Sequence, residues 1–394
     1  RGRTPGKFDF MGLGTYTLTR AVDDIMFLEG TGERDRRVVF TAALSAANRA
    51  LDRSQYRPLP NWNSMFKPSD WVRITINDNG ASGAAAEGAP SQLEHSDEFF
   101  VAVIPENDPP VWSVPNSTID YVQEELYEVV HVGTIHVDED TPLDLQGVSL
   151  DDVDADEGFG STLEVDIATQ HGQLFLRSVE GLTMLDGSVG NGDATLRFRG
   201  SLANINHALR DLRYVGQEHY FGADSITFLA SDRGFTGSGN ALSDSVVIPL
   251  VIDAVNDSPT WVVPTQAFVV EEEEATFITG LSIEDVDDAG GLMTVELEVT
   301  QGVLTLPRLD SLVTFLVGDG DRDTHTVITA DKTALNIALA GLAYRPNDDW
   351  NTVLNNRDSV TMVVNDGGHT GSGGPLEATH VLFINRVTAD NDAP

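Results

Sequence analysis

The sequence predicts an all-β chain, a tandem array of Greek-key β-sandwiches that each carry one short helix. Three observations carry that expectation. Stretches such as "STLEVDIATQ", "GQLFLRS", "ATLRFRG", "DSITFLASD" and "DSVVIPLVIDAV" alternate apolar and polar residues with period two, and Gly, Asp and Asn clusters separate them. The same motifs return three times in one order, as repeat architectures require. One segment per copy has a helical period instead: Leu202, Ile205, Leu209 and Leu212 share a face, and Leu335, Leu339 and Leu342 nearly do.

The repeat is anchored at four places. "INDNGASG" from Ile76, "ASDRGFTGSG" from Ala230 and "VNDGGHTGSG" from Val364 are one anchor. Asn-Asp-x-Pro follows each of them, as "ENDPP" from Glu106, "VNDSP" from Val255 and "DNDAP" from Asp390. The helical segments begin at Leu44, Leu202 and Ala334, and "GTYTL", "GQLFL" and "GVLTL" begin at Gly14, Gly172 and Gly302. Copies two and three also share an acidic opening, "VDEDTPLDLQGVSLDDVDAD" against "VEEEEATFITGLSIEDVDDA". The boundaries expected from these anchors are a partial repeat at 1–108 lacking its first strands, complete repeats at 109–257 and 258–392, and the start of a further linker at 393–394. The chain thus reads as an excerpt of a longer array. Each complete unit is expected to be a seven-strand sandwich. Its Gly-rich "GFTGSG" or "GHTGSGG" is expected to be a hairpin connection, since neither leads into a helix with a Lys as a phosphate-binding loop would. Copy two has an insertion near 116–131, "NSTIDYVQEELYEVV", readable as a short capped helix or an added edge strand. Asn116 begins an Asn-Ser-Thr glycosylation acceptor pattern.

Composition narrows the function. The 394 residues are 41% hydrophobic, enough for packed cores. Asp and Glu number 62 against 24 Lys and Arg, a formal charge of −38, which argues against nucleic acid or an anionic membrane as partner. So much charge weakens a compact state unless cations bind or the charges are spread out. There is no cysteine, hence no disulfide or thiolate metal site. The longest apolar run, "VVIPLVI", is too short to cross a bilayer, and no signal peptide opens the chain.

The carboxylates recur in register. Glu139 and Glu272 are expected near the start of the first full strand, and Asp152-Val153-Asp154 and Asp285-Val286-Asp287 follow at equal intervals. Asp232 and Asp366 end a late strand, and the Asn-Asp pairs lie in the linkers. Asp-x-Asp in extended chain projects both carboxylates to one side, where they repel without a cation between them. A hard divalent ion suits such a set. Ca²⁺ tolerates irregular loop geometry, and Mg²⁺, which demands an octahedron, suits it less. The competing reading is a set of solvated loops and proline-ended turns.

The segment "VNDGGHTGSGGPLEATHVLFINRVTADNDAP" resembles the end of a cadherin repeat. With "GQLFL" and "INHALRDLRY", the longer unit is more similar to cadherin-like repeats of giant bacterial and protist surface proteins. The resemblance spans essentially the whole chain and implies calcium between consecutive repeats. It implies Glu139, Glu218, Asn256, Asp257, Asp285, Asp287 and Asp366 as ligands at the junction of copies two and three. At the junction of copies one and two it implies Asn107, Asp108, Asp152, Asp154 and Asp232. Half of a further junction is implied by Glu272, Asn391 and Asp392. Departures from the family pattern are Pro105, Ala254 and Ala389 at the first linker Asp, and Pro109, Ser258 and Ala393 after the linker Asp. No Glu equivalent to Glu218 stands out in copy three. These losses imply one or two ions per junction.

The function expected is a structural or adhesive extracellular module: a calcium-stiffened rod in a filament, coat or adhesin. Its partners would be neighbouring repeats, identical chains in a filament or a cell-surface partner. The alternative is a glycan- or protein-binding module of a large surface protein, using aromatics such as Trp62, Trp71 and Trp350. An enzyme is not expected, because the acidic pairs recur with the repeat, no His pair has metal spacing and no Gly-x-Ser-x-Gly elbow occurs.

Overall fold

The computed structural model describes residues 6–18, 24–65, 67–80, 92–122, 127–155, 161–188, 190–234, 238–307, 312–352 and 357–388. Asn391 and Asp392 lie outside the described residues, as do 393–394. Strands dominate, and three separate apolar cores form along the chain. Phe8, Phe40 and Val72 lie in the first, Leu163, Phe198 and Phe228 in the second, and Val295, Leu335 and Met362 in the third.

The second core sits under a six-stranded sheet. Its order is Ile135–Asp138, Ser243–Asp253, Gly222–Ser231, Leu163–Thr169, Thr195–Gly200 and Thr183–Asp186. Ile135–Asp138 runs parallel to its neighbour, and the other pairings are antiparallel. A three-stranded sheet (Leu143–Asp144, Arg213–Gly216, Gly172–Phe175) and a pair (Val111–Ser113, Ser149–Asp151) add Leu174, Tyr214, Trp112 and Leu150 to the same core. The third unit repeats this order from Phe268–Glu271 through Glu377–Thr388, Asp358–Asn365, Met293–Val299 and His325–Ala330 to Thr314–Val317. Seven strands per unit is therefore an underestimate. Strands of two or three residues, such as Leu143–Asp144 and Val111–Ser113, are too short to show a period in sequence. In the first unit the sheet runs Ile25–Glu29, Asp35–Ala42, Gly6–Thr17, Asp70–Asn77, Glu94–Val101.

Among the described residues one helix per unit appears where the period predicts it: Leu44–Leu51, Leu202–Leu209 and Lys332–Ala340. The Ser201 and Asp331 side chains cap the second and third by accepting the N–H of Asn204 and Ala334. These helices also position the acidic loops. Asn206 accepts the Leu150 N–H and donates to the Leu150 carbonyl, both at 2.8 Å. Asn336 does the same to Ile283, at 2.7 and 3.0 Å. Leu150 and Ile283 stand just ahead of Asp152 and Asp285.

A second recurring device explains the Gly of the "GQLFL" anchor. The Tyr214 hydroxyl donates to Asp224 Oδ2 at 2.8 Å, and Tyr344 to Asp358 Oδ2 at 2.9 Å; Tyr56 makes the same bond to Asp70. Each tyrosine ring lies against the anchor glycine. A Cβ on Gly172 or Gly302 would come within 2.3 or 2.5 Å of the ring, so only glycine fits.

Among the described residues the insertion forms neither a helix nor an edge strand of the large sheet. It is a hairpin of its own, Ser117–Val122 against Tyr127–Val132, closed at its base by the Gly133 N–H donating to the Asn116 carbonyl at 2.9 Å.

Candidate metal centres at the linkers

Both described linkers are built in the same way. The Asn256 N–H donates to the Ser372 carbonyl at 2.8 Å, and the Ser372 N–H to the Ala254 carbonyl at 2.9 Å. At the earlier linker Asn107 pairs with Ser238 and Ser238 with Pro105, at 3.2 and 2.9 Å. The Gly-rich turn is therefore more than a hairpin connection: its backbone docks the linker. Gly371 lies so close that a Cβ there would meet the Ala254 carbonyl carbon and oxygen at 2.7 Å, and its φ is +65°.

The linker side chains complete the contact. Asn256 Nδ2 donates to Asp366 Oδ2 at 2.7 Å and to the Gly374 carbonyl at 3.1 Å. Asn107 Nδ2 donates to Asp232 Oδ2 at 2.6 Å and to the Asn240 carbonyl at 3.1 Å. The other oxygen of Asp366 accepts from Gly368 and Leu376 N–H, and that of Asp232 from Gly234 and Leu242 N–H. One residue on, the Asp257 N–H donates to Asp287 Oδ2 at 3.1 Å and the Asp108 N–H to Asp154 Oδ2 at 2.7 Å.

The Asp-x-Asp motifs are turns rather than extended chain. The Asp154 N–H donates to Asp152 Oδ1 at 2.9 Å, folding the backbone so that both carboxylates go inward while Val153 faces solvent. Asp285-Val286-Asp287 repeats this, with the Asp287 N–H 3.3 Å from Asp285 Oδ1. Glu139 also differs from expectation: it follows the strand Ile135–Asp138, in a turn, and its Oε1 accepts the Val255 N–H at 2.8 Å. Glu272 occupies the matching turn, where Asn351 Nδ2 donates to its Oε2 at 3.1 Å.

These carboxylates are not solvated. Glu139, Asp152, Asp154, Asp232, Glu272, Asp287 and Asp366 are all buried. Two of their atoms, Glu139 Oε2 and Asp287 Oδ1, have no hydrogen-bond partner among the described residues. The electrostatics match. Burial, then the charges of Asp140, Asp257 and Asp287, raise the Glu139 carboxyl. Asp152 is pushed up to about 6 by burial and by Asp154 and Asp232. Asp285 is raised by burial and by Asp287 beside it. Asp224 is a useful contrast. Burial opposes its charge, but donors from Tyr214, Thr169 and backbone N–H groups outweigh that and hold it below the usual range. The Tyr–Asp sites are electrostatically closed; at the second linker burial opposes the Asp287 charge, but Asp285, the Asp257 N–H and Thr370 hold it below the usual range, while Glu139 and Asp285 stay raised.

Glu218 is the outlying member of the expected set, with its side chain 85% exposed. Its neighbour His219, absent from the sequence expectation, faces the linker: Nδ1 lies 2.8 Å from Asp257 Oδ2 and 3.4 Å from Asp140 Oδ2. Asp140 had no signal beyond lying in an acidic run. Copy three does have an acidic equivalent of Glu218, namely Asp348, in the turn after the strand Ala343–Pro346. In copy one the corresponding turn ends at Asn61, which with Asp108 and Asp152 lines a cavity of about 180 Å³ at the first linker.

No family model matches the sequence, and no curated protein matches it. Solved structures do match. Protocadherin gammaB7 EC3-6 is 16% identical, with 96% of this chain and 66% of that chain covered and a TM-score of 0.30. Protocadherin Gamma B2 extracellular cadherin domains 3-6 are 16% identical over 96% and 69%, with a TM-score of 0.28. Mouse cadherin-23 EC22-24 is 15% identical over 96% and 87%, with a TM-score of 0.29. At the second linker the carboxylates offer oxygen donors, and the imidazole of His219 adds a nitrogen.

Proposed function

We propose that the chain is a structural and adhesive extracellular module, a rod of tandem β-sandwiches whose junctions are stiffened by calcium. The observation that carries this reading is the pair of buried carboxylate oxygens, Glu139 Oε2 and Asp287 Oδ1, that lack a hydrogen-bond partner among the described residues, set one on either side of the Asn256–Asp257 linker. All-oxygen donors from turns of two units suit a large, hard cation of flexible coordination. Glu139, Asp257, Asp285 and Asp287 would hold it at the second junction, and Asp108, Asp152 and Asp154 at the first. Asn107 and Asn256 commit their amide nitrogens to Asp232 and Asp366, which leaves their carbonyl oxygens as donors. Glu272 would serve a third junction together with Asn391 and Asp392. Calcium bound there supplies the positive charge that these groups lack. Asp257 and Asp287 then draw together instead of repelling, and the angle between sandwiches is fixed.

Partners follow from the same reading: neighbouring repeats of the same chain first, and then identical chains or a surface partner meeting the hairpin at 117–132. The glycan-binding alternative finds less support, because Trp112 and Trp350 are buried and Trp62, Trp71 and Trp261 are half-buried. Calorimetric titration with calcium tests the proposal. Dissociation constants on the order of 0.1–1 mM are expected for an extracellular module. Absence of binding at several times that concentration would return the acidic loops to a purely structural role.

A further inference from the structure

The turn that carries His219 has one backbone in all three units. Asn61, His219 and Asp349 take φ of 54°, 55° and 57°. The N–H of the next residue, Trp62, Tyr220 or Trp350, closes each turn on the carbonyl of Leu59, Gln217 or Asn347, at 3.3, 3.0 and 3.1 Å. The scaffold is constant and the side chain at its tip varies: an amide, an imidazole, a carboxylate. The second junction alone receives a nitrogen donor at this position.

That imidazole is held among acids. Asp140 Oδ1 accepts the His219 backbone N–H at 3.1 Å, so one oxygen clamps the turn while Oδ2 lies 3.4 Å from Nδ1. Asp257 Oδ2 lies on the linker at 2.8 Å from the same nitrogen. Among the described residues, these three are the one group of His, Asp and Glu whose ligand atoms all lie within 4.8 Å of one another. Next to Asp140 stands Glu139, 3% exposed, whose Oε2 has no partner among the described residues and whose carboxyl is raised in part by the charges of Asp140 and Asp257. A hydrogen bond from His219 to Asp257 satisfies one carboxylate oxygen and leaves this excess of negative charge in place.

We propose that His219 Nδ1, Asp140 Oδ2 and Asp257 Oδ2 form a second kind of metal site, which takes a borderline cation of the Zn²⁺ class at this junction and not at the first. Imidazole nitrogen favours such ions, whereas calcium takes oxygen. The spacing is compatible. Tetrahedral ligands at about 2.0–2.2 Å from zinc stand about 3.3–3.6 Å apart, so the 3.4 Å pair fits and the 2.8 Å pair must open by about 0.5–0.8 Å. The His219 and Asp257 side chains are partly exposed and can yield that much. Water completes the coordination. The site shares Asp257 with the calcium reading and is otherwise independent of it.

The test is a calorimetric titration of the full chain with zinc chloride, with and without saturating calcium, on the parent and on His219→Asn. Asparagine already stands at this turn position in the first unit with the same backbone, so the substitution spares the fold. One zinc per chain is expected at this site, weakened at least about tenfold in the variant, with the calcium isotherm unchanged. Copper(II) as a spectroscopic probe should show nitrogen coupling from one imidazole, lost in His219→Asn. Equal zinc affinity in the two proteins, or no zinc binding in the parent, overturns the proposal and leaves a plain His–Asp hydrogen bond. Zinc binding without calcium binding would reject the calcium reading and leave this one standing.

Discussion

Replacing Asp152 by Asn should stabilise the second sandwich in chelator and abolish its stabilisation by calcium. Asp152 is 6% exposed, and burial with the charges of Asp154 and Asp232 pushes its carboxyl up to about 6. In the unfolded chain it returns to about 3.9. Between those values the folded chain keeps a proton that the unfolded chain has released. The stability tied to this proton is full below about pH 4 and is lost as pH rises through about 6. A displacement of about two pKa units corresponds to roughly 3 kcal/mol at most. Solvent on the open side of the turn reduces this to about 1–2 kcal/mol. Asparagine keeps the Oδ1 that accepts the Asp154 N–H at 2.9 Å, so the turn survives while the charge is removed. Calcium at about tenfold to hundredfold excess over its dissociation constant adds about 1.4–2.7 kcal/mol to the parent, and nothing comparable to the variant. The stability orders should therefore cross as calcium rises. Urea unfolding in EDTA and in calcium, with hydrogen exchange at Val165 and Phe228 reporting the second core, measures both limbs. A variant less stable than the parent in chelator at neutral pH would refute the reasoning, because the carboxylate would already be compensated.

Other expectations concern the framework. Tyr344→Phe removes a buried donor from Asp358 and should cost the third sandwich about 1–3 kcal/mol by thermal unfolding, with the calcium isotherm unchanged. Gly371→Ala puts a methyl group against the Ala254 carbonyl at a positive φ, so it should lift the linker from its turn at a cost of about 1–3 kcal/mol and weaken calcium at the second junction; calorimetry reads both. Deleting 117–132 removes a hairpin closed at its own base and should impair lateral assembly, by light scattering at high concentration, while the melting profile of the second sandwich persists.

The repeat, the strands and the helices were legible because burial imposes a period, and a period repeated three times stands out. Leu202, Ile205 and Leu209 announced a helix in this way, and "DSVVIPLVIDAV" a strand. Strands of two residues have no period to read. The linker's backbone pairing with the Gly-rich turn was hidden for another reason: main-chain hydrogen bonds leave no side-chain signature except the glycines that permit the approach, and such glycines look like any turn. The carboxylates were legible as recurring residues, but their chemistry was not. Sequence cannot separate Asp358, closed by Tyr344 and Thr300, from Asp287, whose Oδ1 has no partner among the described residues; both are an Asp near a strand end. His219 escaped notice because a single histidine in one copy is not a recurring signal, and its meaning comes from a turn shared with Asn61 and Asp349.

The separate cores lead to a last expectation, that the junctions respond independently. Asp285 and Asp287 belong to the third unit and meet the linker through the Asp257 N–H. Asp152 and Asp154 belong to the second and meet Asp108. No carboxylate named at one junction is shared with the other. Coupling between junctions would have to pass through the core of the second sandwich, whose strands are held by their own ladders and by the Tyr214–Asp224 lock. Asp285→Ala with Asp287→Ala should therefore erase the calcium response of the second junction, about 1.4 kcal/mol at tenfold excess, and leave the first unchanged. Fluorophore pairs placed across each junction separate the two responses: calcium should narrow the distance distribution at the first in both proteins, and at the second in the parent alone. Loss of the response at both junctions would mean that the sandwiches transmit strain, and that the array bends as one body rather than as a chain of independent hinges.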